Sequence, residues 1–198
     1  MTNVRRKESA TKTEIGRGVS KREWFESALR MMSDIGLTGT TVERLAEALC
    51  TSRSGFYWHF ENKDDLLNQL LDYWAQELTE VVTENEAFLA LAPKDRLIKT
   101  AETILERDLT RYEIAIRHWA LQNKRAARVV KRVTTARLEY LRRTFSELGF
   151  TGDDLEMRAM LFTCYHTWEK PMFGDIPQKR LRKLIASRIE LLTTDSNS

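Results

Sequence analysis

Over 198 residues the chain uses only eight glycines and three prolines, and this scarcity of punctuation constrains its fold more than any other feature. Between the breaks, apolar residues recur at spacings of three and four, the signature of one face of a 3.6-residue helix, and no strand-like alternation of any length competes. The expected fold class is therefore all-α. With 42% hydrophobic and 31% charged residues, the chain has the composition of a globular protein able to bury a sizeable core.

No run of 18 apolar residues offers a membrane span, and the basic N-terminus is not followed by the apolar core of a signal peptide. The expectation is a cytoplasmic protein with no membrane partner. Residues 1–22 hold seven basic side chains against two acidic ones, while the whole chain carries a net charge of only +3. Residues 1–19 read as a disordered basic tail, either drawn to a polyanion or merely solubilising. Cys50 and Cys164 lie far apart with no metal-ligand spacing, so both read as reduced and structural.

The first helix starts at Ser20, where "SKRE" has the spacing of a capping box closed by Glu23. Trp24, Phe25, Ala28, Leu29, Met32 and Ile35 follow at helical spacing, and Gly36 supplies the stop. Thr40 and Glu43 repeat the capping-box spacing ahead of a shorter helix with Val42, Leu45, Ala46 and Leu49 on one face. Ser52 is placed to cap a third helix with Phe56 and Phe60 turned inward, leaving Arg53, Ser54, Gly55, Tyr57, Trp58 and His59 able to face outward. Two short helices joined by a tight turn form a helix-turn-helix, whose second helix enters the DNA major groove.

The pattern Gly36, Thr41-Val42, Leu45-Ala46, Ser52, Tyr57, His59-Phe60, Lys63 and Leu66 resembles the signature of the TetR family of bacterial transcriptional regulators, over about residues 20–67. One departure stands out: the family usually has Gly and Val where this chain has Cys50 and Thr51. A positive φ at position 50 would cost a cysteine on the order of 1 kcal/mol. The resemblance implies a helix-turn-helix DNA-binding domain over residues 20–66 and a helical effector-binding and dimerisation domain over residues 67–198, about nine helices in all.

It also implies roles for individual residues. Small or polar Ser54 and Gly55 let the backbone approach the groove, and Arg53 has the fork geometry for guanine O6 and N7. Tyr57 and His59 resemble the family's phosphate- and sugar-contacting pair, and Thr41 and Lys63 its other phosphate contacts at helix N-termini. Trp58 either faces the DNA or packs on the fourth helix, and Arg44 reads as a solvated helix residue.

Beyond this module, residues 61–82 read as one long amphipathic helix, capped by Asn62, with Leu66, Leu70, Trp74, Leu78 and Val81 as its stripe. Further helices are expected from Pro93 to about Asp108, over "RYEIAIRHWALQ", over a long basic segment ended by Gly149, over "DDLEMRAMLFTCYHTWEK" up to a break at Pro171, and from Gln178 to Leu192. In the family the last two long helices pair with those of a second copy. That implicates Met157, Met160, Leu161, Cys164 and Trp168, with Leu181, Leu184, Ile185, Arg188 and Leu192, in a homodimer interface. Candidates for an effector pocket are Tyr112, Arg117, His118, Trp119, Phe162, Tyr165 and His166, although aromatics at helical spacing equally suit a core. Arg125, Arg128, Lys131, Arg132, Arg142 and Arg143 read chiefly as a solvated face.

Catalytic patterns are missing from the sequence. His59, His118 and His166 are its only histidines; no two share the i, i+3 or i, i+4 spacing of a metal site, and no Glu-x-x-His motif occurs. There is no phosphate-binding glycine loop, nucleophile elbow or dinucleotide fingerprint. No catalytic residue, metal or cofactor is implied. The expected function is that of a homodimeric repressor released from a palindromic double-stranded DNA operator by a small molecule. An activator or a non-specific DNA binder is the alternative, and the latter would be expected to carry a stronger overall charge than +3.

Overall fold

A computed structural model describes residues 18–174 and 176–194. Among them there is no strand, and the chain divides into two compact units with the boundary after Leu66. The basic tail expected over residues 1–19 falls outside the described residues except for its last two positions.

The first unit holds α1 (Lys21–Gly39), α2 (Val42–Ala48), α3 (Arg53–Tyr57) and the start of α4 (Lys63–Ala75). The capping box at Ser20 is complete: its hydroxyl accepts from the Glu23 N–H, while the Glu23 carboxylate accepts from the Ser20 N–H at 2.7 Å. Gly36 breaks the helical path at φ 76°, ψ 170°, so residues 37–39 form only a last detached turn. Thr40 does not cap α2, as its spacing suggested. It is fully buried with its hydroxyl donating to the Gly36 carbonyl, and Thr41 is the cap instead, accepting from the Arg44 N–H. Ser52 occupies the N-cap of α3 but makes no capping bond, because its hydroxyl is paired with that of Ser54 at 2.6 Å.

The second unit continues α4 into a π-helical turn (Gln76–Glu80) and α5 (Val81–Thr83). After a single turn, α6 (Glu86–Leu89), come α7 (Pro93–Arg107), α8 (Glu113–Ala120), α9 (Lys124–Glu147), α10 (Gly152–Phe173) and α11 (Gln178–Thr193). With α4, the π turn and α5 taken as one rod, nine helices longer than four residues lie among the described residues. Asn62 caps α4, its side-chain oxygen accepting from the Asp65 N–H.

Three expectations are corrected. The π turn adds a residue to its helical turn and shifts the register, so the stripe Leu66, Leu70, Trp74, Leu78 ends on buried Val82 rather than Val81. Pro171 does not break the helix it lies in; α10 runs through it to Phe173. Both cysteines are free and exposed, so neither has a structural role in a core.

A buried ion-pair network ties the second unit together. Glu113 on α8 is fully buried, with Arg117 at 2.8 Å and Arg137 of α9 at 3.0 Å, and Arg137 also donates to Thr79 in the π turn at 2.8 Å. Arg96 of α7 donates to three carbonyls around α6 and to Glu147 of α9. Removing one partner of such a buried pair is costly, about 3–5 kcal/mol, because it strands the other charge.

Candidate nucleic-acid interface

The five residues "FYWHF" alternate between the core and the surface of the first unit. Phe56 and Phe60 are buried 5.2 Å apart between ring centroids, with Trp24 edge-on to Phe56 at 5.4 Å and Phe25 against Phe60 at 5.6 Å. Aromatic contacts of this geometry contribute about 0.5–1.5 kcal/mol each beyond the burial of their area. This small aromatic core fixes α3 in place.

On the other side of α3, Tyr57 is exposed and Trp58 is 85% exposed, so Trp58 does not pack into the first unit. Arg53 and Ser54 at the start of α3 are exposed as well. The Arg53 guanidinium lies 3.1 Å from the Glu43 carboxylate of α2. Glu43 is held below the ordinary carboxylate range, first by its own backbone N–H and then by Arg53. A Cβ on Gly55 would come 3.1 Å from the Thr51 hydroxyl, so glycine there also serves the packing of the turn.

The turn itself contains the strain that the sequence raised. Cys50 sits at φ 50°, in the left-handed region, with its N–H donating to the Glu47 carbonyl and that of Thr51 to Ala46. Two of the expected phosphate contacts hold backbone carbonyls. His59 Nε2 lies 2.7 Å from the Val19 carbonyl, and Lys63 Nζ donates to the Leu37 carbonyl at 3.1 Å. Thr41 accepts from the Arg44 N–H, and its hydroxyl also helps to hold the neighbouring Glu43 carboxylate below its ordinary range. Arg44 reaches back to the Gly39 carbonyl.

The expected pocket residues do not converge. Phe162 and His166 line a small, mostly apolar cavity of about 50 Å³ in the second unit, walled by the π turn, α5, α7, α9 and α10. Arg117 and His118 line a separate, open groove of about 700 Å³ between α8 and α9, which Trp168 also borders. Tyr112 and Trp119 are buried, the first at the N-terminus of α8, and Tyr165 lies under the Arg188 guanidinium at 3.9 Å. The sequence missed most of the cavity wall, including Thr79, Thr100, Arg137 and Tyr140. The only signal for them was polar residues interrupting apolar stripes.

The two halves of the expected dimer face behave differently. Met157, Met160, Leu161, Cys164 and Trp168 are all exposed along α10. By contrast Leu181, Ile185 and Leu192 are buried in the chain's own core, and Leu184 and Arg188 are part-buried. The first three are thus corrected to core residues. Leu191, which the sequence reading passed over, is 77% exposed.

Among the described residues no group of three or more His, Cys, Asp or Glu side chains could hold a metal ion, and no helix is long and apolar enough to cross a membrane.

Residues 25–70 match the family described as bacterial regulatory proteins, tetR family. A probable acrEF/envCD operon repressor of Escherichia coli K12 is 34% identical over 68 residues, covering 33% of this chain and 30% of that protein. The match therefore spans less than a third of the relative's length. Among solved structures, a transcriptional regulator from Rhodococcus sp. Rha1 superposes with a TM-score of 0.67 at 17% identity, over 88% of this chain and 96% of that one. AibR in complex with isovaleryl coenzyme A and operator DNA superposes with a TM-score of 0.63 at 20% identity, over 87% and 97%. These likenesses extend the common fold over both units.

Proposed function

We propose that this chain, whose residues 25–70 match the tetR family of bacterial regulatory proteins, is a sequence-specific, DNA-binding transcriptional repressor that acts as a homodimer and is released from a palindromic operator by a small molecule. The observation that carries the reading is the exposed edge of α3. Arg53, Ser54, Tyr57 and Trp58 stand outside a module that buries every other large ring it has. Tyr57 and Trp58, adjacent and exposed, give α3 an aromatic edge of the kind a partner can cover.

In this reading Arg53 reads a base edge, Tyr57 and Thr41 position the phosphodiester backbone, and Lys63 and His59 contribute once their carbonyl contacts are exchanged for phosphates. The exposed apolar row on α10 supports dimerisation, since a single short recognition helix binds weakly and a two-fold dimer reads two half-sites about 34–36 Å apart. The 50 Å³ cavity supports effector binding, and the π turn in its wall belongs to the same rod as α4. An effector shifts the equilibrium only if it favours the conformation that does not bind DNA. The basic tail adds non-specific attraction to the polyanion. The relatives' descriptions as regulators and repressors give an enzymatic reading no support.

The test is selection of the purified chain against a random duplex pool at fixed, near-physiological salt. An enriched palindrome supports a dimeric sequence-specific regulator, and a pool without a common motif refutes it.

A further inference from the structure

Among the groups that wall the 50 Å³ cavity, one is conspicuous for having nothing to bind. His166 is 3% exposed, and neither of its ring nitrogens has a hydrogen-bond partner. Six of its polar neighbours in the wall are already engaged. Thr100 and Tyr140 bond to each other at 2.8 Å, Thr79 accepts from Arg137, and Thr83 and Thr163 donate to carbonyls of their own helical turns. A buried imidazole left in this state is destabilising, and a ligand of the right chemistry relieves it.

The surroundings specify that chemistry. Nδ1 of His166 faces the Glu169 carboxylate at 3.7 Å, too far for a hydrogen bond but close enough to favour the tautomer with its proton on Nδ1. Nε2 then presents a lone pair and accepts. Each charged group around the cavity already has a partner before any ligand arrives: Arg137 shares Glu113 with Arg117, and Glu169 has Arg188 at 3.5 Å. Burial pushes the His166 imidazole below its ordinary range, so it adds no charge of its own at neutral pH. The remaining wall is hydrocarbon from residues such as Leu78, Val82, Ile104, Leu141 and Phe162.

Resting on the reading of the second unit as an effector domain, we infer that the cavity takes a small, uncharged, mostly apolar molecule carrying one O–H or N–H donor, which His166 accepts through Nε2. A carbonyl compound of the same size offers only an acceptor and leaves the lone pair unanswered. A carboxylate or an ammonium would have to shed its hydration against a mostly hydrocarbon wall whose charged groups, Arg137 among them, already have partners. The void is about a third of the ~150 Å³ that accommodates benzene, so a ligand of several carbons has to push its wall outward. The π turn, which contributes Leu78 and Thr79, departs from regular α-helical hydrogen bonding in that wall.

The experiment uses the full chain without DNA. Cyclopentanol and cyclopentanone, matched in size, are titrated in turn, with cyclopentylamine and cyclopentanecarboxylate as charged controls. Binding is read from the imidazole 15N signals of His166 at neutral pH and from calorimetry. The alcohol is expected to bind about tenfold or more tightly than the ketone, with Nε2 as the nitrogen that shifts. In His166→Phe, the preference for the alcohol should vanish while the ketone still binds. Equal binding of alcohol and ketone, preference for a charged control, no binding of the alcohol, or a shift confined to Nδ1 each overturns the inference. DNA selection on the same protein separates this from the wider reading. Alcohol binding without an enriched DNA motif leaves the site standing and removes the regulator, whereas a motif without alcohol binding does the reverse.

Discussion

Glu43 and Arg53 face each other across the turn between α2 and α3, carboxylate to guanidinium at 3.1 Å, both largely exposed. Without DNA the residue assigned to reading a base is thus held by a neighbour, and it must leave that neighbour to fork onto guanine. Arg53→Ala should relax base preference at one position of each half-site, by about 1–3 kcal/mol of discrimination. Glu43→Gln should tighten binding to all duplexes, because it removes a negative charge from the docking edge. Affinities for the selected site and for single-base variants check both. A uniform loss across all sequences for Arg53→Ala would assign that residue to the backbone.

Lys63 should behave in the opposite way. Its Nζ is positioned by the Leu37 carbonyl, so it presents charge without base-reading geometry. Lys63→Ala should weaken every duplex alike and reduce the slope of log affinity against log salt by about 1. Titrations over a range of salt concentration measure that slope.

Cys50 occupies φ 50° in a tight turn, a conformation that glycine adopts without the steric cost of a Cβ. Cys50→Gly should stabilise the first unit by about 1 kcal/mol, less the backbone entropy that glycine adds to the unfolded chain. Urea denaturation of the two proteins checks it, with an unchanged m-value expected.

The contrast between Cys50 and His166 shows what was legible in the sequence. The strained turn, the Ser20 capping box, the Asn62 cap and the inward Phe56 and Phe60 are local matters, decided by residues within four positions of one another, and these were readable. The π turn was not, since its extra residue leaves the apolar spacing nearly intact and shows only as Val82 replacing Val81 in the core. Nor could periodicity decide which stripe of α11 faces inward. Leu181, Ile185 and Leu192 looked equally suited to a second copy, and only the packing of α7 against α11 assigns them to the core. The candidate cavity was least legible of all, because it is assembled from the π turn and four helices distant in sequence.

His166 also makes stability depend on pH. Its folded-state proton affinity lies below the ordinary value of 6.5 because burial disfavours the charged ring. Below pH 6.5 the unfolded chain binds the proton more readily than the folded one, so this contribution to stability is complete above that pH and declines as the pH falls. His166→Phe should flatten the stability profile as the pH falls below 6.5. Denaturant melts at pH 7.5 and 5.0 for both proteins would show it.

The exposed row on α10 gives the test of assembly. Leu161 is 51% exposed and lies between Met157 and Trp168 on that row. Leu161→Glu should shift the protein toward monomer in analytical ultracentrifugation while leaving its helicity unchanged, since the side chain is not part of the chain's own core. Retention of a dimer would move the interface elsewhere.

The most direct measurement of the central claim is the sequence of duplexes recovered from a random pool by the purified protein at near-physiological salt. The expected result is a palindrome whose half-sites are about 34–36 Å apart or a multiple of that, with the preference at one base of each half lost in Arg53→Ala. Recovery of duplexes that share no motif would contradict sequence-specific regulation and leave α3 an exposed aromatic edge in need of another partner.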